Sequence, residues 1–203
     1  MKRASTRFWL CASALVFVVS PAIGQWPNKR FRIDDKYSSR PIRSNELTLS
    51  GLRPGKTTRA RATALNKDLG QPRVDGNSIS WYDLDSCETL HLDMDTKGVI
   101  QTIHVSVEFY NGVNTCSFVK AGMGWRTGHD LSLRAPCTSV NRLYGEPDSR
   151  SPSTKNGQPL ELLYYAFDWA GPDVPQVMEV VCTAEKEGKP GQVVEITLAA
   201  GSL

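Results

Sequence analysis

The chain has 203 residues and three histidines, and two of these stand on either side of one short turn. "ETLHLDMD" (88–95) alternates His91 and Asp93 against Leu90, Leu92 and Met94, and "VIQTIHVSVEF" (99–109) sets Thr102 and His104 against apolar neighbours in the same way. With a turn at "TKG" (96–98), Met94 is expected to face Val99, His91 to face Thr102 and Thr89 to face His104. Two imidazoles and a carboxylate on one sheet face are a donor set for a divalent metal. In this register, however, the histidines sit on a diagonal of about 7 Å with no third close ligand. No metal and no cofactor is therefore expected. His91, Asp93, Thr102 and His104 are read instead as a polar surface offered to a partner.

The remaining chemistry is sparse. "WRTGHD" (125–130) is the densest polar cluster, and a histidine beside an aspartate has the parts for acid–base work. Neighbours in sequence usually point apart, so the cluster is read as the polar surface of a connection. There is no Gly-x-Ser-x-Gly elbow, no His-Glu-x-x-His helix and no phosphate-cradling Gly-Lys-Ser/Thr loop, and the cysteines lack zinc spacing. No catalytic residue is assigned. Aromatic side chains are the third feature. Alternation sends Tyr165, Phe167 and Trp169 to one side of "LELLYYAFDW" (160–169) and Tyr164 to the other. Those not used in the core are anchors for a partner, which adds Tyr165 and Trp169 to the candidate binding residues.

The elements that must position these residues follow from periodicity and punctuation. "GLRPGKTTRARATALNKDLGQP" contains a helix. Pro54-Gly55 turns the chain, Thr57 or Thr58 caps the helix, Ala62, Leu65 and Leu69 share a face, and Gly70 with Pro72 ends it. Strands are expected at 78–84, 88–95 and 99–109. The pattern then recurs. Val140, Leu143 and Tyr144 form a helical face that Gly145 and Pro147 end, and strands follow at 160–169, 174–182 and 191–199. The expected fold is α+β: two tandem units, each a helix plus a three-stranded antiparallel sheet, over residues 47–115 and 116–203. One such sheet alone buries a single face, whereas two units can close a shared core.

The first residues read as a secretory signal. Lys2, Arg3 and Arg7 precede an apolar run from Phe8 to Val19, and the small residues of "Ala-Ile-Gly" (22–24) place cleavage before Gln25. Export, to the periplasm or outside the cell, is the expectation, with no transmembrane segment in the mature chain. Beyond Cys11, the cysteines are Cys87, Cys116, Cys137 and Cys182. Four cysteines in an exported chain imply two disulfides with three possible pairings. Cys87–Cys116 with Cys137–Cys182 is favoured because each bridge then stays inside one unit. Without Lys2, Arg3 and Arg7 the formal charge of +3 falls to zero. Nine of the remaining Lys and Arg residues lie within 25–60 against Asp34, Asp35 and Glu46. A basic extended arm, residues 25–46, thus precedes an acidic body. An exported basic arm points to an anionic envelope component or a protein, not to nucleic acid.

The segments "Leu69-Gly-Gln-Pro" and "Tyr144-Gly-Glu-Pro", with the hairpin "Asp95-Thr-Lys-Gly-Val-Ile", resemble the beta-lactamase-inhibitor-protein-like superfamily. That group includes small outer-membrane assembly lipoproteins of the SmpA/OmlA type. The resemblance covers most of residues 47–199. It implies a helix-then-antiparallel-sheet unit in tandem and a role in protein recognition or envelope assembly. The helix starts depart from the family pattern, and the chain has no lipid-anchoring cysteine, which counts against an assembly-lipoprotein role. The functional expectation is an exported, non-catalytic binding module that recognises a protein or envelope component through a sheet face. The alternatives are an envelope assembly factor, and a small hydrolase or metal-binding protein without a recognisable motif.

Overall fold

The computed structural model describes residues 44–83, 85–107, 124–186 and 188–201. All of them belong to one compact unit, Arg40–Leu203. The expected signal segment, most of the basic arm and the expected boundary between residues 115 and 116 lie outside the described residues.

Alternating side chains produce the strands. β1 (Arg73–Asp75), β2 (Ser78–Asp83), β3 (Glu88–Met94) and β4 (Ile100–Val107) follow helix α1 (Arg59–Leu65) and a 3-10 turn, Lys67–Leu69. β5 (Ser149–Lys155), β6 (Gln158–Ala166), β7 (Val177–Thr183) and β8 (Val193–Ala199) follow helix α2 (Thr138–Tyr144). Thr58 stands at the α1 N-cap without a side-chain bond, while Thr57 Oγ1 accepts the Arg53 N–H at 2.8 Å. Gly70 and Gly145 end the two helical runs with the same positive φ of 80°, a conformation glycine reaches without the steric cost of a Cβ.

All eight strands join one antiparallel sheet in the order β1-β2-β3-β4-β8-β7-β6-β5. This corrects the expectation of two units, each with its own three-stranded sheet. Each helix precedes a four-stranded meander, and β4 pairs with β8, so the hydrogen-bond ladder runs unbroken between the two halves. Two strands absent from the sequence reading, β1 and β5, are the sheet edges. β1 is exposed throughout and β5 nearly so, and neither has an apolar face for periodicity to reveal. Pro152 in β5 lacks an N–H, which suits an edge strand that pairs on one side only.

The core lies on one face of the sheet. Leu90, Leu92, Ile103, Val105, Ile196 and Leu198 from the central strands are fully buried there, against Ala62 of α1 and Val140 and Tyr144 of α2. Burying a Leu or Ile of this kind contributes about 1.5–3 kcal/mol. The Cys137–Cys182 disulfide joins the start of α2 to β7, as expected, with a Cα–Cα distance of 6.1 Å. Cys87 is buried and disulfide-bonded. Its expected partner, Cys116, lies outside the described residues. Among the described residues no helix is long and apolar enough to cross a membrane.

Candidate functional site

One transverse row of the sheet face opposite the helices is polar from edge to edge, whereas the rows beside it turn apolar on β6 and β7 with Leu160, Leu162, Val177 and Val181. The strand registers align Arg73, Ser80, His91, His104, Thr197, Glu179, Tyr164 and Ser149 in one transverse row, one residue from each strand. Asp93, Thr102 and Ser78 lie in the adjacent row. The hairpin register differs from the expected one. His91 directly faces His104 and Asp93 faces Thr102, two residues from the expected register: Met94 faces Ile100 instead of Val99, and an irregularity between Asp93 and Met94 adds the second residue. Each extra residue near the turn moves every later pair by one.

Direct opposition does not turn the two imidazoles toward a common point. His91 Nε2 lies 3.1 Å from Asp93 Oδ1, in its own strand, and the same oxygen accepts the Ser78 hydroxyl. His104 Nδ1 hydrogen-bonds Thr197 Oγ1 at 2.8 Å, on β8. Among the described residues no group of three or more His, Cys, Asp or Glu side chains is placed to hold a metal. Farther along the row, burial pushes the Glu179 carboxyl above its ordinary value. Burial, with Glu179, Asp168 and Asp148 nearby, raises Tyr164 as well.

The aromatic candidates divide. Tyr165 is completely buried, donates its hydroxyl to the Gly145 carbonyl at 3.0 Å and packs near Tyr144 and Phe167, so it serves the core and offers no surface to a partner. Trp169 is 57% exposed, the most exposed large apolar side chain among the described residues. It lies past the end of β6 in a 3-10 turn, Asp168–Ala170, where strand alternation no longer applies.

A second polar constellation was only half visible in the sequence. Glu46, assigned there to the basic arm, is 1% exposed. Its Oε1 accepts the Leu47 and Thr48 N–H groups, and its Oε2 accepts the His129 N–H, His129 Nδ1 and the Tyr144 hydroxyl. Since Tyr144 donates to Glu46, Thr127 Oγ1 donates to Tyr144 at 2.6 Å and in turn accepts the Leu131 N–H. Burial raises the Glu46 carboxyl, but these hydrogen bonds outweigh it and hold the group below its ordinary value. The geometry resembles the orienting half of a catalytic dyad. No nucleophilic side chain hydrogen-bonds His129 among the described residues, and the five donors on one carboxylate tie the 124–131 connection to the segment before α1. "Thr-Gly-His" (127–129) carried the signal for this constellation; nothing local marked Glu46.

No protein-family model matches the chain, and no curated protein matches it. Among solved structures, the chain is similar to a DUF4309 family protein from Bacillus subtilis, with 11% identity over 77% of this chain and 88% of that one and a TM-score of 0.41. It is also similar to a cysteine-rich secretory protein from Staphylococcus aureus, with 9% identity over 73% of this chain and 48% of that one and a TM-score of 0.32.

Proposed function

We propose that this protein is an exported, non-catalytic binding module that receives a protein or envelope component on its polar sheet face. One observation carries the reading: the row from Arg73 to Ser149 spans all eight strands on the face away from both helices. Eight strands are about 34 Å wide at the usual inter-strand spacing. That width suits a partner footprint of ordinary size, about 800 Å² per side. The row mixes basic, acidic, hydroxyl and imidazole groups, so it supplies direction and specificity more than bulk hydrophobic adhesion. The resemblance of the Leu69–Pro72 and Asp95–Ile100 segments to inhibitor-like proteins favours a protein partner.

A photo-reactive residue at Thr102, in native envelopes, is expected to give a discrete cross-linked product. One at Arg61, exposed on α1, is expected to give none. The double substitution His91→Ala with His104→Ala is expected to abolish the Thr102 product while sparing the fold. Equal products from Thr102 and Arg61 would remove the sheet face from consideration.

A further inference from the structure

The two edges of the sheet are not alike. β5 carries Pro152, a residue type that guards an edge against a further strand. β1 carries no proline, and all three of its residues, Arg73, Val74 and Asp75, are exposed. A two-residue turn, Gly76-Asn77, with Gly76 at φ of 55°, makes Asp75 and Ser78 the closing pair of the β1–β2 hairpin. Antiparallel pairing alternates, so Val74, one residue further, turns both its N–H and its C=O away from β2. Its side chain continues an apolar row through Ile79, Leu92, Ile103 and Leu198. Those four are buried, whereas Val74 is 50% exposed at the end of the row, on the last strand of the sheet. Arg73 and Asp75 flank it on the polar face, and neither takes part in an ion pair or a side-chain hydrogen bond among the described residues.

From these features we infer that β1 is the interface of a homodimer, pairing antiparallel with β1 of a second copy about a two-fold axis at Val74. The stretch Arg73-Val74-Asp75 complements itself in that arrangement. Val74 faces Val74 of the partner subunit, and the two exchange both backbone hydrogen bonds. Arg73 faces Asp75 of the partner subunit, and the symmetry repeats the pair, so opposite charges stand directly across the joint twice on the polar face. A parallel approach would set arginine against arginine and aspartate against aspartate. A slip by one residue would set Val74 against a charge and on the wrong face, so charge and burial fix the same register. One cation and one anion placed evenly about an apolar residue match their own reverse, which is why the partner is a second copy and not an unrelated strand. The contact is isologous, and pairing edge to edge about an axis perpendicular to the sheet leaves both polar faces on one side. The row that begins at Arg73 then runs on into the second copy. Three residues of strand make a small joint, which belongs to the weak, reversible class of interface. The inference does not depend on the sheet-face reading, since it concerns the strand edge and its backbone groups.

Sedimentation equilibrium of the purified chain over a series of concentrations tests it. The parent is expected to show a monomer–dimer equilibrium that weakens as salt is raised. Asp75→Arg alone sets arginines against each other, and Arg73→Asp alone does the same with aspartates. Each is expected to weaken dimerisation about tenfold or more. The double exchange, Arg73→Asp with Asp75→Arg, restores opposite charges across the joint and is expected to dimerise as the parent does. An equimolar mixture of the two single variants is expected to form a heterodimer, because each copy then supplies charges of one sign. These side chains are exposed, so melting curves should not move. A chain that stays monomeric at every concentration overturns the inference, and so does a dimer that the single exchanges leave intact or that the double exchange fails to restore.

Discussion

Glu46 shows most directly how single residues hold this molecule together. A buried carboxylate is tolerated only when its lone pairs are filled, and here five donors fill them. Tyr144→Phe removes one donor and leaves Thr127 without its acceptor, at an expected cost of about 1–3 kcal/mol. Glu46→Gln cannot accept on both atoms and is expected to cost about 2–5 kcal/mol. The pH dependence has a definite sign. The folded-state value of Glu46 lies below the unfolded one, so its contribution is complete above the ordinary carboxylate range and is lost as pH falls through the folded value. Urea unfolding of parent and Glu46→Gln should therefore show a stability gap at neutral pH that narrows in acid; a gap independent of pH would mean that the charge does not matter. Beside it, a Cβ on Gly128 would lie 2.6 Å from Glu46 Oε1 and 2.8 Å from Thr48 Oγ1. Gly128→Ala is expected to cost about 1–3 kcal/mol by overpacking, read from the same urea curves.

Among the elements, β3 separates the two kinds of residue that a sheet carries. Its burial alternates strictly, and Leu92 is completely buried on the core face while His91 is half-buried on the polar one. Leu92→Ala is expected to cost about 2–5 kcal/mol through the cavity it leaves. His91→Ala should stay within about 0.5 kcal/mol. Chemical denaturation compares the two, and a large loss from His91→Ala would place the imidazole in the folding core and not on a binding surface. The Cys137–Cys182 bridge ties α2 to β7 across 45 residues of chain. Replacing both cysteines with serine is expected to remove about 2–4 kcal/mol, mostly by freeing the unfolded chain. An unchanged denaturation midpoint would show that packing alone fixes α2.

At the scale of the whole molecule, the described strands form one sheet, and that has a thermodynamic consequence. Val105 opposite Ile196 and Ile103 opposite Leu198 form the join between β4 and β8, and all four are buried in the same core cluster. Neither half covers this join alone, so calorimetry is expected to show one cooperative unfolding transition. Two resolved transitions would restore the picture of separate folding units. Much of the local structure was legible in the sequence. The alternation in 88–95 marked β3 and its two faces, and Gly145 marked the end of α2, while Gly70 ends the 3-10 turn that follows α1 and not α1 itself, which stops at Leu65. The arrangement by halves favoured the Cys137–Cys182 bridge. These features depend on residues a few positions apart, or on turn chemistry that only particular residue types permit. Partner choice is different. A hydrophobic strand has two equivalent edges, and nothing in β4 itself says that its second neighbour is β8 and not the end of a sheet. The same holds for the edge strands β1 and β5, which pair through backbone groups that every sequence carries. It holds also for Glu46, whose partners His129 and Tyr144 lie more than 80 residues away, and for the two turns that the Arg53–Asp173 hydrogen bond joins, 120 residues apart in the chain. Those placements came only with the tertiary structure, because each is set by which surfaces exclude water together.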